Sequence, residues 1–270
     1  LTQAINDILL VPSGFTISFS SNLSIGFVLI IITSLVILGG LKRISLVATR
    51  LVPFMVTIYM FCVIIILIIN IEVLPTYLKM IFTDAFVAEN YNGEQVYGGV
   101  LGALIILGIR RGAFSNEAGI GTAPMAHGAA RTNSPIKEGL VAMLGPAIDT
   151  LIVCTLTALA ILVTGVWQNE AVSGVSLTAL AFEHSMPIIG KYLLLFCILI
   201  FSVSSLFTYS YYGTKCMSFL FGANNKKYYN YIYILSIILG ATTSLSLMIN
   251  LIDSFFALMA IPTMLATLLL

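Results

Sequence analysis

The chain has 270 residues, of which 59% are hydrophobic and only 9% are charged, and its formal net charge is +1. A soluble globular protein carries about 25% charged residues. This composition, with a mean hydropathy of +1.07, therefore excludes a soluble domain and predicts an all-α, polytopic membrane protein. The near-neutral charge gives no reason to expect nucleic acid as a partner.

The four cysteines lie within apolar runs and form no CxxC pair. Cysteines in such surroundings behave as small buried hydrophobic residues rather than as a metal site or a disulfide framework. We therefore expect no cofactor to be held by them.

Apolar runs predict a single transmembrane domain over 1–270 with about eight membrane segments, since a spanning helix needs about 20 apolar residues. In chain order the segments are 1–12, 23–38, 51–71, a broken segment made of 97–109 and 121–130, 136–166, 192–220, 229–247 and 251–270. The first and the last are expected to be truncated, because the chain is expected to begin and end inside helices and 265–270 is still apolar. A shorter helix, 175–183, is expected to lie over one face as an outer lid.

Basic and acidic residues alternate between the predicted loops. The basic loops are 39–50, 131–137 and 214–227, whereas the intervening loops carry mainly acids, among them Asp84, Glu89, Glu94 and Glu170. Lysine and arginine are enriched in cytoplasmic loops. We therefore expect the three basic loops to be cytoplasmic, in a multi-pass protein of the plasma membrane, as in a prokaryotic inner membrane.

Glycines and polar residues interrupt the fourth segment over 108–135, which reads GIRRGAFSNEAGIGTAPMAHGAARTNSP. Each glycine in a helix costs about 1 kcal/mol relative to alanine. Lipid does not tolerate unpaired backbone, so a break here must face protein or a water-filled cavity. The pattern predicts a discontinuous helix at about 97–130 that holds a polar ligand.

Polar side chains at membrane depth are candidate site residues. Glu117 lies in the break; it either binds a cation or an ammonium group, or pairs with Arg110 or Arg111 as a structural acid. Ser115 and Asn116 either supply oxygens to Na⁺ or a substrate amine, or cap the ends of the half-helices.

Other residues near the break also have two interpretations. Phe114 and Ile120 either form an apolar pocket wall or simply pack. Asp149, in the fifth segment, lies near enough to approach the break, either as an ion ligand or as a hydrogen-bonded structural acid. His127 is either a proton carrier or structural. Asp253 is interpreted as interfacial and receives no role.

Ser204 and Ser205 are adjacent in the sixth segment. Serine hydroxyls in membrane helices often bond back to the preceding turn. An adjacent pair can instead present two hydroxyls to a small hard cation, which prefers oxygen ligands.

Several motifs along the chain resemble those of one family of membrane transporters. RRGAFSNEAGIGTAPMAHGAART at 110–132 is similar to the signature of the alanine or glycine:cation symporter family, and GGLKRIS at 39–45, LVPFM at 51–55, GLVAMLGPAIDT at 139–150 and YSYYG at 209–213 support it. The resemblance covers essentially the whole chain. It implies a partial leucine-transporter-like (LeuT-like) inverted-repeat helical bundle, in which the broken segment is the sixth core helix. The N-terminal core helices, with half of the binding site, would be missing.

The resemblance also implies roles for individual residues. Ser115 matches a sixth-helix hydroxyl of one sodium site, and Ser204 and Ser205 match the eighth-helix pair of a second. Substrate contacts are implied for Phe114, Ser115, Asn116, Gly119, Ile120, Tyr209 and Gln3. Structural or coupling roles are assigned to Glu117, Arg111 and Asp149. Tyr209 stands where the family commonly has tryptophan, which leaves the preferred substrate side chain open.

The function implied by the resemblance is Na⁺-coupled import of alanine or glycine by alternating access, in a lipid bilayer, with no covalent step and Na⁺ as the coupling ion. Two other classes stay open. A membrane-embedded enzyme would use His127, Glu117 and Asp149, which must then lie close together in one cavity. A proton-coupled or channel-type membrane subunit would need no substrate-dependent Na⁺ binding.

Overall fold

The computed structural model of the chain describes residues 1–86, 99–117, 119–169, 172 and 174–269, and these form helices and turns without a β-strand. The α-helices are α1 Thr2–Ile5, α2 Phe19–Ile37, α3 Gly40–Ile69, α4 Leu74–Phe86, α5 Gly99–Asn116, α6 Thr122–His127, α7 Pro135–Pro146, α8 Thr155–Val163, α9 Val175–Ser185, α10 Gly190–Phe221, α11 Lys226–Thr242 and α12 Leu245–Leu269. A π-helix over Asn6–Leu10 continues α1, and a second over Ala147–Cys154 joins α7 to α8. The expected all-α class is confirmed.

Five of the described helical stretches are long and apolar enough to cross a membrane: Phe19–Ile37, Arg43–Ile69, Pro135–Val163, Gly190–Phe221 and Leu245–Leu269. Each coincides with a segment predicted from the sequence. The remaining predicted segments correspond to the short α1 with its π-helical extension, to the broken pair α5 and α6, and to α11. The protein is therefore a polytopic membrane protein.

Two of the predicted basic loops are largely helical. The stretch 39–50 forms the first turns of α3, where Arg43 Nη1 donates a hydrogen bond of 2.7 Å to the carbonyl of Leu35 near the end of α2. A basic side chain stabilises the unpaired carbonyls at a helix C-terminus, which explains why charge does not imply an open loop here. Between α10 and α11 the connection shrinks to residues 222–225.

Tyr97, Glu89, Glu94 and Glu170, used in the predictions above, lie outside the described residues.

The chain divides into two compact units, of which the first contains residues 1–62 and 169–252. Its core includes Ile37, Ile44 and Phe207, which are almost fully buried and pack together. Helices α2 and α11 approach closely, since a Cβ on Gly26 would lie 3.0 Å from the Cβ of Ala241. Small residues permit such close packing between membrane helices.

The second unit contains residues 63–168 and 253–270. It holds the broken pair α5 and α6, the run from α7 through α8, and most of α12. Pro146 has no backbone N–H, so the helix loses a regular hydrogen bond there, and a π-helix follows over Ala147–Cys154. This irregular turn positions the side chains that meet the break.

Of the four cysteines expected to be buried, Cys62 and Cys197 are buried, whereas Cys154 and Cys216 are exposed. That expectation is wrong for the latter two, because an apolar run in a membrane helix does not determine which face the protein covers. None of the four forms a disulfide.

Candidate functional site

The break between α5 and α6 is shorter than predicted and lies further along the chain. Helix α5 continues through both arginines and Ser115 to Asn116, and α6 begins at Thr122. The backbone is left-handed at Glu117 (φ 54°), Gly119 (φ 77°) and Gly121 (φ 85°). Glycine adopts this conformation freely, whereas a glutamate there is strained. The discontinuous helix is confirmed, but Ser115 and Asn116 lie on its last helical turn rather than in the unwound segment.

The π-helix that follows α7 supplies partners to the last turn of α5. Ser115 Oγ donates a hydrogen bond of 2.5 Å to Asp149 Oδ2, and Thr150 Oγ1 donates one of 2.8 Å to Asn116 Oδ1. Asp149 therefore lies against the break, as expected. π-Helical turns occur frequently at functional sites, because they redirect side chains that a regular helix would place elsewhere.

These contacts collect oxygen atoms at one end of the break. The Asp149 carboxylate keeps lone pairs beyond the one that Ser115 uses, and the Ser115 oxygen remains an acceptor while its proton is donated. Hard cations such as Na⁺ prefer oxygen ligands of this kind. The arrangement can hold a small cation or the ammonium group of an amino acid.

The second half of α12 packs along the break. The rings of Phe114 and Phe256 lie 5.1 Å apart. A Cβ on Gly119 would lie 2.7 Å from Met264 Cε, and a Cβ on Gly121 would lie 2.9 Å from Thr263 Oγ1. Both glycines suit the left-handed backbone at their positions, and both lie in close contact with side chains of α12. Ile120 is buried between them, with 6% of its surface exposed.

Asp253 pairs with an arginine of α5, a contact that the sequence did not reveal. Arg110 Nη2 lies 2.6 Å from Asp253 Oδ2, and the aspartate side chain is only 5% exposed. The interfacial interpretation gave Asp253 no partner, whereas the structure buries this side chain within α12. A lone acid in an apolar span is a signal for such a partner, but it does not identify which arginine binds it.

The expected pairing of Glu117 with Arg110 or Arg111 is not found. Arg110 binds Asp253 instead, and within the described residues neither Glu117 nor Arg111 takes part in an ion pair. The half-buried Glu117 carboxylate therefore has no protein cation to neutralise it among these residues.

His127 belongs to a different contact. Its Nδ1 lies 2.7 Å from Glu138 Oε1, which joins α6 to α7. Within the described part of the chain, no three histidine, cysteine or acidic side chains converge as a metal site would require. Glu138 was not singled out in the sequence, where it is one acid in the first turn of a helix.

The serine pair lies in the first unit, in α10. Ser204 is buried and its hydroxyl donates a hydrogen bond of 2.8 Å to the Phe201 carbonyl, the back-bonding expected of a serine in a membrane helix. Ser205 is half-buried, and its hydroxyl makes no hydrogen bond with the described residues. The two adjacent hydroxyls thus differ, and Ser205 is the one available to a ligand.

Tyr209 lies one turn further along α10. It is 36% exposed and packs edge-on against Tyr212, with ring centroids 5.9 Å apart. The tyrosine is therefore held by a neighbouring ring while much of its surface stays open.

Gln3 borders a cavity of about 340 Å³ in the first unit, whose polar lining includes Gln3, Asp7, Ser176, Glu183 and Lys191. Ser176 of α9 donates a hydrogen bond of 2.6 Å to Asp7 on the π-helix after α1. Lys191 pairs with Glu183 at 2.6 Å. Helix α9 therefore lines this cavity, and one hydrogen bond joins it to the segment that carries Gln3.

Comparison with known proteins identifies related transporters. The model of the sodium:alanine symporter family matches residues 3–270. The chain is 38% identical over 248 residues to the sodium/alanine symporter AgcS of Methanococcus maripaludis. This matched region covers 91% of this chain and 53% of that protein. It is 34% identical over 265 residues to the probable sodium/glutamine symporter GlnT of Bacillus subtilis, which covers 96% and 54%. It is also 33% identical over 209 residues to a sodium/proton-dependent alanine carrier protein of a Bacillus species, with 72% and 46% covered.

The chain spans about half the length of the curated relatives it matches. These relatives are named as symporters or carriers. His127 contacts Glu138 whereas Asp149 contacts Ser115, which gives no support to the alternative that used His127, Glu117 and Asp149 as one enzymatic site.

Proposed function

Since the chain belongs to the sodium:alanine symporter family, we propose that the full-length protein imports a small neutral amino acid, alanine or glycine, together with Na⁺. The observation that carries the proposal is the broken helix, where Ser115 and Asn116 are held by Asp149 and Thr150 from a neighbouring helix. A discontinuous membrane helix exposes backbone groups that a regular helix would use internally. Those groups bind a zwitterion without any covalent step.

The two halves of the broken helix suit the two ends of an amino acid. The C-terminal end of α5 carries a partial negative charge, and with Asp149 it accepts the ammonium group or Na⁺. The N-terminal end of α6 carries the opposite partial charge and faces the substrate carboxylate. Thr122, at the start of α6, is buried, and its hydroxyl has no hydrogen-bond partner among the described residues. That hydroxyl is available as a donor to the carboxylate.

Two groups of oxygens are proposed as Na⁺ sites. One is Ser115 with Asp149, which are already in contact. The other is Ser204 with Ser205, of which Ser205 has a free hydroxyl within the described residues. Bound Na⁺ raises the affinity for substrate by the same factor by which substrate raises the affinity for Na⁺, and this reciprocity is the basis of coupled transport.

The remaining proposals concern the whole protein. The complete chain adopts a LeuT-like inverted-repeat bundle and works by alternating access in the plasma membrane, with the basic segments 39–50, 131–137 and 214–227 on the cytoplasmic side. Phe114, Asn116, Gly119, Ile120, Tyr209 and Gln3 contact the substrate. Helix α9, held to Asp7 by Ser176, is the lid over the outer cavity.

Thermal unfolding of the full-length protein tests the proposal. Alanine at about 100 times its Kd stabilises the protein by about 2.7 kcal/mol, which corresponds to a rise in melting temperature of about 3 °C for a protein of the relatives' length. We expect this rise in Na⁺ and a much smaller one in K⁺. Equal rises in the two salts would contradict sodium coupling, and no rise in either would contradict amino-acid binding. A channel-type subunit would show no dependence of Na⁺ stabilisation on alanine.

A further inference from the structure

Three side chains of α12 contact the broken helix at separate points. Asp253 binds Arg110, Phe256 contacts Phe114, and Met264 reaches Gly119. Residues separated by three, eight or eleven positions lie on the same face of an α-helix, so these side chains belong to one stripe of α12. The stripe contacts the break from one side, and the ion pair of Arg110 with the buried Asp253 fixes one end of it.

Met264 fills the space next to the exposed backbone of the break. Its Cε atom lies where a side chain on Gly119 would begin, 2.7 Å from the position of a Cβ. The rest of the Met264 side chain is not enclosed, since 53% of its surface is exposed. The methionine therefore contacts the break with its methyl group, while about half of its surface is not covered by this chain.

From this geometry we infer that Met264 is a specificity-determining residue, which limits the size of the substrate side chain by occupying the space beside Gly119. The inference rests on the proposed function, because Gly119 is one of the proposed substrate contacts. A substrate bound on the exposed backbone there meets the thioether arm of Met264. Methionine is flexible and fills irregular gaps, so it closes this space around a small side chain.

A shorter residue at position 264 is expected to admit a substrate with a larger side chain. Replacing Met264 by alanine removes the atoms beyond Cβ, and leucine exceeds alanine by a comparable branch of three carbons. A single methylene changes discrimination about 10- to 200-fold in a well-formed apolar pocket. Met264→Ala should therefore improve the affinity for leucine relative to alanine by at least about tenfold.

The experiment measures competition by leucine against Na⁺-dependent binding of radioactive alanine to the purified full-length protein. Wild type, Met264→Ala and Leu265→Ala are compared. Leu265 is the matched control, since it is the next residue of α12 and has a similar exposure, 56% against 53% for Met264. We expect leucine to compete strongly only in Met264→Ala. Met264→Leu conserves the side-chain volume and should behave as wild type.

Each outcome decides a different point. If Met264→Ala binds alanine but excludes leucine as strongly as wild type does, Met264 does not set substrate size. An equal gain in Leu265→Ala would overturn the inference as well, because it would reflect general loosening of α12. Absence of Na⁺-dependent alanine binding in wild type would instead contradict the proposed function itself. Should Met264→Ala fail to fold, Met264→Val with 2-aminobutyrate as competitor provides the same test with a smaller opening.

Discussion

Individual hydroxyls decide how the candidate sodium sites can work. Ser204 and Ser205 look equivalent in sequence, yet the Ser204 hydroxyl bonds to the Phe201 carbonyl, whereas Ser205 has no such bond within the described residues. A hydroxyl that already donates to the backbone can still offer lone pairs, but its orientation is fixed by that bond. Ser205 can turn its oxygen toward a cation without breaking a hydrogen bond to the described residues. The serine pair is thus one oriented and one adaptable ligand.

Ser205→Ala is therefore predicted to weaken activation by Na⁺. The loss of one oxygen ligand to a charged group costs about 1.5 kcal/mol, which corresponds to about a tenfold rise in the Na⁺ concentration for half-maximal alanine uptake. The measurement is the Na⁺ dependence of uptake by the full-length protein. Ser236→Ala is the control, since that hydroxyl bonds back to the Tyr233 carbonyl in α11. Unchanged sodium activation in Ser205→Ala would remove this residue from the mechanism.

The residues at the break also show what a sequence can predict at this scale. Asp149 was expected to approach the break, because an acid in a membrane segment needs a polar partner. The partner of Asp253 was not predictable, because Arg110 lies 143 positions away in the chain. Glu117 was interpreted through its nearest arginines in sequence, but the helix that carries Arg110 directs that side chain to α12. Local proximity in sequence was the wrong guide there.

Two irregularities in the helices bring the residues of the candidate site together. The break after α5 and the π-helix after Pro146 are both places where regular hydrogen bonding stops. Each lies at the point where Ser115 meets Asp149. The glycines predicted the first irregularity, and the proline was the only signal for the second. A proline in a helix predicts a disturbance without indicating that it takes the form of a π-helix.

Gly119→Ala is predicted to destabilise the break. A left-handed backbone costs a non-glycine residue about 1–2 kcal/mol, and the new Cβ would meet Met264 Cε at 2.7 Å, which adds about 1–3 kcal/mol for overpacking. We therefore expect a lower melting temperature for the full-length protein. The flexible end of Met264 can move aside, so the second contribution lies toward its lower limit.

Gly112→Ala is the matched control for that experiment. Gly112 lies within α5, and a Cβ there would meet no atom within 4 Å. Alanine in a helix is favoured over glycine by about 1 kcal/mol, so this substitution should leave the melting temperature unchanged or raise it. If the two alanine substitutions shift the melting temperature equally, the left-handed turn and its contact with α12 do not matter for stability.

At the scale of the whole molecule, the membrane segments were the most predictable feature. Long apolar runs must be helical in lipid, whatever their neighbours, and the five stretches that can span a membrane all fall on predicted segments. The ends of helices were less predictable. The basic residues at 42–50 suggested an open loop, but arginine and lysine are good helix formers, and α3 begins before them.

The packing of one helix against another was not predictable from the chain. The contact of α12 with the break depends on which face of an almost uniformly apolar helix turns inward. Apart from Asp253, little in 245–269 distinguishes one face from another, so the positions of Thr263 and Met264 against Gly121 and Gly119 emerged only from the structure. The resemblance to a transporter family predicted which residues of the break have a role, and the structure identified the side chains of α12 that contact them.

Coupled transport of Na⁺ and alanine is tested most directly by the entry of radioactive Na⁺ into proteoliposomes that contain the full-length protein. We expect that alanine added outside accelerates Na⁺ entry, and that an inward Na⁺ gradient accumulates alanine inside while a K⁺ gradient does not. Na⁺ entry that is the same with and without alanine would contradict it.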